Sequence, residues 1–359
     1  MKKLLLILGG IITILALIIG ITFSYFSPNK NHVLSYIAKH PETTSITLFR
    51  NGSLVAEQSS DEMRPLASTV KIMIAIEYAV QASEEIFNPD SMIALEELDR
   101  FYFQGSDGGA HPAWLNTIDA DSATIREIAQ GMIRYSSNAN TDWLSAFLGL
   151  ENINRRITSL GIKNHSEIYY LVSSLFIAHE RFPTIEGEPL IDSLQSLTQK
   201  EYVDLSDEIH QKLVADTSYM TGVPLIGLDA QKVWSDRLPA STTTEYAQLM
   251  SKLNSKTYFS AQTHQYLDEV MESLMENPAN QEWLSHAGMK GGSTAFVLTK
   301  ALYAKDKDGE TTELAYFLDG LTLIESIRLQ GSLNAFELAI LTDDEFLAKV
   351  AERIGINSN

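Results

Sequence analysis

The chain has 359 residues, 45% of them hydrophobic and 20% charged, which fits a globular protein with ample material for a large core. Its formal charge of -19 excludes a phosphate-backbone binder, so no nucleic-acid partner is expected. It has no cysteine, which removes disulfides, thiol nucleophiles and Cys-based zinc sites from consideration.

After Met1-Lys2-Lys3 comes Leu4 to Phe26, a run of 23 residues without a charge. At about 1.5 Å per residue it is long enough to cross a bilayer core of about 30 Å. It lacks a convincing small-x-small cleavage site before SPNKNH, and the lysines on its short side keep the N-terminus cytoplasmic. Residues 1–26 are therefore expected to be a single-pass anchor, 27–32 a linker, and the remainder a domain outside the cytoplasmic membrane. Cleavage of the run as a signal would make the same domain secreted.

Downstream, HVLSYIAKH reads as a short helix. SITLFRNGSLVAEQ (45–58) alternates around Asn51-Gly52, a strong hairpin signal. From Ser68 in RPLASTVKIMIAIEYAV the period becomes helical. A Gly- and Asp-rich loop containing FQGSDGGAHPAW precedes the expected helix SATIREIAQGMIRY (122–135). Thr242 and Glu245 predict a capping box for EYAQLMSKL, and Thr342 and Glu345 predict another for a last amphipathic helix through Ile354. Between these, residues 294–321 alternate again around a turn near Asp308-Gly309. Strands thus lie at both ends and helices in the middle, an α+β arrangement with a ligand cleft between two lobes.

Three short motifs carry chemistry. Ser68 read as a helix N-cap places its hydroxyl at the positive end of the helix dipole, with Lys71 one turn on along the same face. Flanked by Val70, Ile72 and Ile74, that amine is partly desolvated, which favours the neutral form able to take a proton from serine. The pair alone is weak, since Ser27-Pro-Asn-Lys30 is another match in the linker. The second motif is Ser136-Ser137-Asn138 after the helix ending at Tyr135. The third is Lys290-Gly291-Gly292-Ser293 leading into a strand, where glycines let the backbone approach a ligand. His179-Glu180 does not continue as a zinc motif, because residue 183 is proline, and no metal site or cofactor is expected. His111 and Trp114 are expected at the cleft mouth.

The order Ser-x-x-Lys, Ser-x-Asn, Lys-x-Gly resembles the penicillin-recognising serine enzymes, and within them the class A β-lactamases. The resemblance covers nearly all of residues 33–357. It implies a β-lactamase/transpeptidase-like fold, with a five-stranded antiparallel sheet flanked by N- and C-terminal helices (33–66 and 285–357) and an all-α lobe (67–284). It implies that Ser68 is the acylated nucleophile, Lys71 its base or relay, and Ser136 the donor to the leaving amine. Asn138 would hold the substrate's side-chain amide, Lys290 would anchor the substrate carboxylate and tune Ser136, and Gly291, Gly292 and Ser293 would line the substrate site, with the N–H groups of Ser68 and Ser293 as oxyanion hole. The implied partner is a small β-lactam or D-alanyl peptide, met by a monomer.

Three departures stand against that pattern. Ser137 replaces the usual aspartate, and Gly291 replaces the usual threonine. The deacylating glutamate in its E-x-x-L-N context has no counterpart in SEIYYLVSSLFIAHERF (166–182), where Glu167 and Glu180 are the nearby acids. Hydrolysis of β-lactams therefore competes with a D-Ala-D-Ala carboxypeptidase or penicillin-binding activity. A non-hydrolytic sensor domain that keeps the fold is the reading from another class.

Overall fold

The computed structural model describes residues 25–356. The expected anchor, except for Tyr25 and Phe26, lies outside the described residues. None of the described helices is long and apolar enough to cross a membrane.

Five antiparallel strands form the central sheet: β1 (Thr44–Arg50), β2 (Ser53–Gln58), β3 (Leu284–Ser293), β4 (Leu298–Asp306) and β5 (Thr311–Leu318), in the order β2-β1-β5-β4-β3. Both hairpin signals hold. Asn51 (φ 52°) and Gly52 (φ 73°) turn β1 into β2, and Gly309 (φ 90°) sits in the turn from β4 to β5. The N-terminal pair joins the C-terminal strands through β1 and β5, from Thr44 opposite Leu318 to Arg50 opposite Thr312.

Alternation along each strand supplies two cores, because successive side chains leave opposite faces of a sheet. Leu314, Tyr316 and Leu318 of β5 pack with α1 (Lys30–Ile37) and with two C-terminal helices that bring in Phe336, Ile340, Phe346 and Val350. Ala315 and Phe317 turn the other way, into the helical lobe. There they share a core with α2 (Lys71–Ser83), whose residues from Lys71 to Ala82 are all buried. A helix buried on every side is a core helix, and this one carries the first motif's lysine into the interior. The lobe also holds α3 (Ile125–Arg134), α4 (Asn138–Leu148) and α5 (Thr243–Asn254); the sheet's far side carries α6 (Leu323–Gln330), α7 (Leu333–Thr342) and α8 (Asp344–Ile354).

Several local expectations change. The linker is shorter than expected, because Asn29 caps α1 by accepting from Asn31 N–H. Ser122–Thr124 leaves the expected helix to pair with Met92–Ala94, and Thr124 then opens α3 through a full capping box with Glu127. Thr242 caps α5, yet Glu245 accepts from the N–H groups of Lys163 and Asn164 in place of closing the box. Thr342 ends α7, its hydroxyl donating to Leu338 O, and Asp343 caps α8. Asp343 is the better acceptor for that N-terminus, being charged and one residue nearer the turn.

These caps predict contrasting mutational costs. Thr124→Ala should lower unfolding stability by about 0.5–2 kcal/mol in urea titrations. Thr342→Ala should change it by less than about 0.5 kcal/mol.

Candidate active site

Ser68 stands where the sheet lobe passes into α2. It is the second residue of a single 3₁₀ turn, Ala67–Val70, that runs straight into the helix. It is not the N-cap expected from sequence; no side chain caps either helix start here. The turn begins one residue earlier, so Ser68 is already inside the coil and its hydroxyl is left for other use. Ala67 holds φ at 44°, a left-handed conformation that costs a non-glycine residue on the order of 1 kcal/mol or more. Side chains pin the turn to the sheet: Thr299 Oγ1 of β4 donates to Leu66 O at 2.7 Å, and Thr69 Oγ1 meets Thr299 Oγ1 at 2.8 Å. β3 presses against the same turn, such that a Cβ on Gly292 would lie 2.5 Å from Ser68 N and 2.7 Å from Leu66 O.

The second motif sits at another strained corner, with Ser136 at φ 68°. Its carbonyl accepts from Lys71 Nζ at 2.7 Å. Its Oγ accepts from Lys71 Nζ at 3.2 Å and from Lys290 Nζ at 3.0 Å. Lys71 Nζ also donates to Asn138 Oδ1 at 2.8 Å, and Lys290 Nζ to Gly291 O at 2.8 Å. Burial pushes the Lys71 amine down to about 7, with the carboxylates of Asp107 and Asp142 pulling the other way. Burial also holds Lys290 well below the usual lysine range, and the charges of Lys71 and Lys300 add to that. Two buried amines sharing one hydroxyl disfavour double protonation.

Ser137, the departure from aspartate, caps α4: its Oγ accepts from Asn140 N–H at 3.1 Å and donates to Asn140 Oδ1 at 2.9 Å. His111 Nδ1 lies 2.8 Å from Ser137 Oγ. His111 and Trp114 are buried behind the cleft wall, so neither stands at its mouth. Ser137 Oγ thus ties the corner to both His111 and Asn140.

Ser68, Ser136, Asn138, Gly291, Gly292 and Ser293 line one cleft of about 830 Å³. Lys71 and Lys290 stand behind its wall and reach it through Ser136. Among the described residues Lys71 Nζ makes no hydrogen bond to Ser68 Oγ, so the expected direct pairing is replaced by the Ser136 and Asn138 contacts. Glu167 is exposed, and Glu180 is engaged by Lys212 and the Tyr219 hydroxyl; neither lines the cleft. Sequence reading missed Asp142, fully buried on α4. Its Oδ1 accepts from Leu171 N–H at 3.0 Å and its Oδ2 from Val172 and Ser173 N–H at 3.0 and 3.3 Å. Burial raises its pKa to about 7 despite those bonds. Its position four residues after Asn138, one helical turn deeper, is the only sequence signal that could have found it.

Residues 30–278 match the pattern of the beta-lactamase enzyme family. Among solved structures, a beta-lactamase from Sphaerobacter thermophilus is 17% identical with a TM-score of 0.55, covering 86% of this chain and 95% of that one. A beta-lactamase from Chitinophaga pinensis is 13% identical with a TM-score of 0.52, covering 87% and 99%. A PBP-A variant solved as an acyl-enzyme complex with penicillin G is 16% identical with a TM-score of 0.51, covering 86% and 95%. These likenesses concern the fold. No curated protein matches the chain.

The two glycines of the third motif make a sharp contrast. A Cβ on Gly291 would meet the end of the Lys300 side chain at 3.4 Å, an ordinary contact, whereas one on Gly292 would strike backbone. Gly292→Ala should cost about 1–3 kcal/mol, as overpacking does, and Gly291→Ala well under about 1 kcal/mol, both read from urea unfolding midpoints.

Proposed function

For a chain that belongs to the beta-lactamase enzyme family, we propose a serine hydrolase that forms an acyl-enzyme at Ser68 with a β-lactam or a related amide such as a D-alanyl peptide. The observation that carries this reading is the Ser136 hydroxyl held at 3.2 and 3.0 Å by two buried lysines, on the wall of the cleft that Ser68 lines.

Each group has a role consistent with its bonds. Ser68 Oγ attacks the carbonyl carbon, and its proton passes to a neutral Lys71, whose ammonium form would be costly at that depth. The carbonyl oxygen gains negative charge and is met by the N–H groups of Ser68 and Ser293. Ser136 accepts from both lysines, so its own O–H is free to protonate the leaving nitrogen, and a lysine proton replaces it. Asn138 uses its Oδ1 on Lys71, which leaves its amide N–H₂ for a substrate carbonyl. Lys290, with Gly291, Gly292 and Ser293, offers the substrate carboxylate a cationic edge.

The release step favours a second reading within the same chemistry. Among the described residues Asp107 is the one acid lining the cleft, and its carboxylate is occupied by the N–H groups of Gly109 and His111. A long-lived acyl-enzyme follows, which is the behaviour of a penicillin-binding or D-Ala-D-Ala carboxypeptidase enzyme. The chargeless run Leu4–Phe26 supports placing this domain outside the cytoplasmic membrane, tethered by that run, or secreted if the run is cleaved.

Incubating the protein with a chromogenic cephalosporin and with a fluorescent penicillin, followed by intact mass, tests these readings. Turnover marks a β-lactamase; a stable single adduct, lost in Ser68→Ala, marks the penicillin-binding reading. Absence of any adduct would sink both and leave the sensor reading. The acylation rate should also rise with pH through about 7, because Lys71 is a proton acceptor only above its lowered pKa. Lys71→Ala should lower the rate by about 10²–10⁴ and abolish that rise in stopped-flow measurements.

A further inference from the structure

The chargeless run ends at Tyr25 and Phe26, which are 41% and 38% exposed and pack beside α6. Arg328 Nε donates to Tyr25 O at 3.1 Å, and its guanidinium lies 4.0 Å from the Tyr25 ring centroid. The Phe26 carbonyl lies beside Gly331, at the C-terminal end of α6. The same helix exposes Leu323, Ile324 and Ile327 at 44, 58 and 60%. Their i, i+1, i+4 spacing sets all three on one stripe, while Ser326 and Leu329 turn inward to the sheet lobe. A soluble surface helix normally reserves that stripe for polar residues. Here it is apolar, and it adjoins the point where a bilayer-length apolar run meets the folded domain.

We propose that this face of α6, with Tyr25 and Phe26, rests in the surface of the lipid bilayer. Leu323, Ile324 and Ile327 would enter the boundary between head groups and acyl chains. Tyr25 and Arg328, each with an apolar body and a polar tip, would mark the head-group level. The inference rests on the membrane-tethered reading above and adds an orientation to it. Gln330 at the end of α6, with Leu333 and Asn334 at the start of α7, lines the cleft. The domain so seated holds its cleft beside the membrane, where a lipid-linked or membrane-proximal substrate is within reach and a bulky soluble one is not.

The occupant is a bilayer because the patch continues a bilayer-length segment of the same chain and is tied to that segment by Arg328. A second copy of the chain is the other possible occupant, and the test separates the two. The sequence has no cysteine, so single cysteines can be introduced and labelled with pyrene. Full-length Ile327→Cys, Pro28→Cys and Ile86→Cys are each reconstituted in phosphatidylcholine vesicles containing brominated lipid, a short-range quencher. Pro28 reports on the tether, and Ile86, 63% exposed beyond the end of α2, serves as the distant control. The expected result is strong quenching at Pro28 and Ile327 and little at Ile86. Quenching at Pro28 without quenching at Ile327 overturns the docked face and keeps the tether. Quenching at neither position overturns both. A pyrene excimer band at Ile327 without lipid quenching gives the face to a second copy and likewise overturns the proposal.

Discussion

Two lysine amines are brought to one hydroxyl inside the protein, and much of the architecture serves that placement. Lys71 and Lys290 have their nitrogens 3.2 and 3.0 Å from Ser136 Oγ, both in a setting that removes their water. An unpaired buried charge is costly, and two of like sign raise the cost further. The protein offsets it with fixed acceptors: the Ser136 and Gly291 carbonyls, Asn138 Oδ1 and, farther off, the carboxylates of Asp107 and Asp142. What remains is expressed as lowered pKa values, and an amine poised near neutrality is a useful base.

Three separate elements must meet for this to occur, which explains otherwise costly features. α2 is buried on every side, which brings Lys71 from within to a place behind the cleft wall. The corner before α4 tolerates a serine at φ 68° because that conformation turns carbonyl and hydroxyl toward the same lysine. β3 gives up its side chain at Gly292 because the turn carrying Ser68 lies against it, 2.5 Å from where a Cβ there would be. With Gly291 bare, Lys300 of β4 comes to the cleft edge, where Glu337 sits 3.3 Å from its amine and in turn accepts from the Tyr316 hydroxyl.

Sequence made the skeleton of this arrangement legible and left its fastening obscure. Ser68, Ser136, Asn138 and Lys290 stood out because their order along the chain resembles that of the penicillin-recognising serine enzymes. The hairpin at Asn51-Gly52 was readable because few other residue pairs accept positive φ twice in succession. Thr69 and Thr299 were not, since threonine is common and their bond joins residues 230 apart in sequence. Nor was the pairing of Ser137 with His111, because replacing one carboxylate by two neutral partners leaves no local pattern. Where a cap had two candidates, as at Thr342 and Asp343, spacing alone chose the weaker acceptor.

The same reasoning bears on how an acyl group would leave Ser68. A base for that step must touch water beside the ester, so it needs an oxygen not already committed. Asp142 lies near Lys71 and, with a pKa raised to about 7, could hold or give a proton near neutrality. Yet its two oxygens accept from three consecutive N–H groups at Leu171, Val172 and Ser173, and it does not line the cleft. Its work is to fasten the 170–174 segment to α4, using a carboxylate as cap where the segment itself supplies none. That segment reaches the cleft with the apolar side chain of Leu171 and is held from behind by the buried carboxylate of Asp142. The groups proposed for attack and for protonating the leaving amine come from three elements, while among the described residues Asp107, already accepting from Gly109 and His111 N–H, is the one acid lining the cleft. On the proposed mechanism, the lifetime of an acyl-enzyme would depend on whether Lys71, once relieved of its proton, can activate water in place of serine.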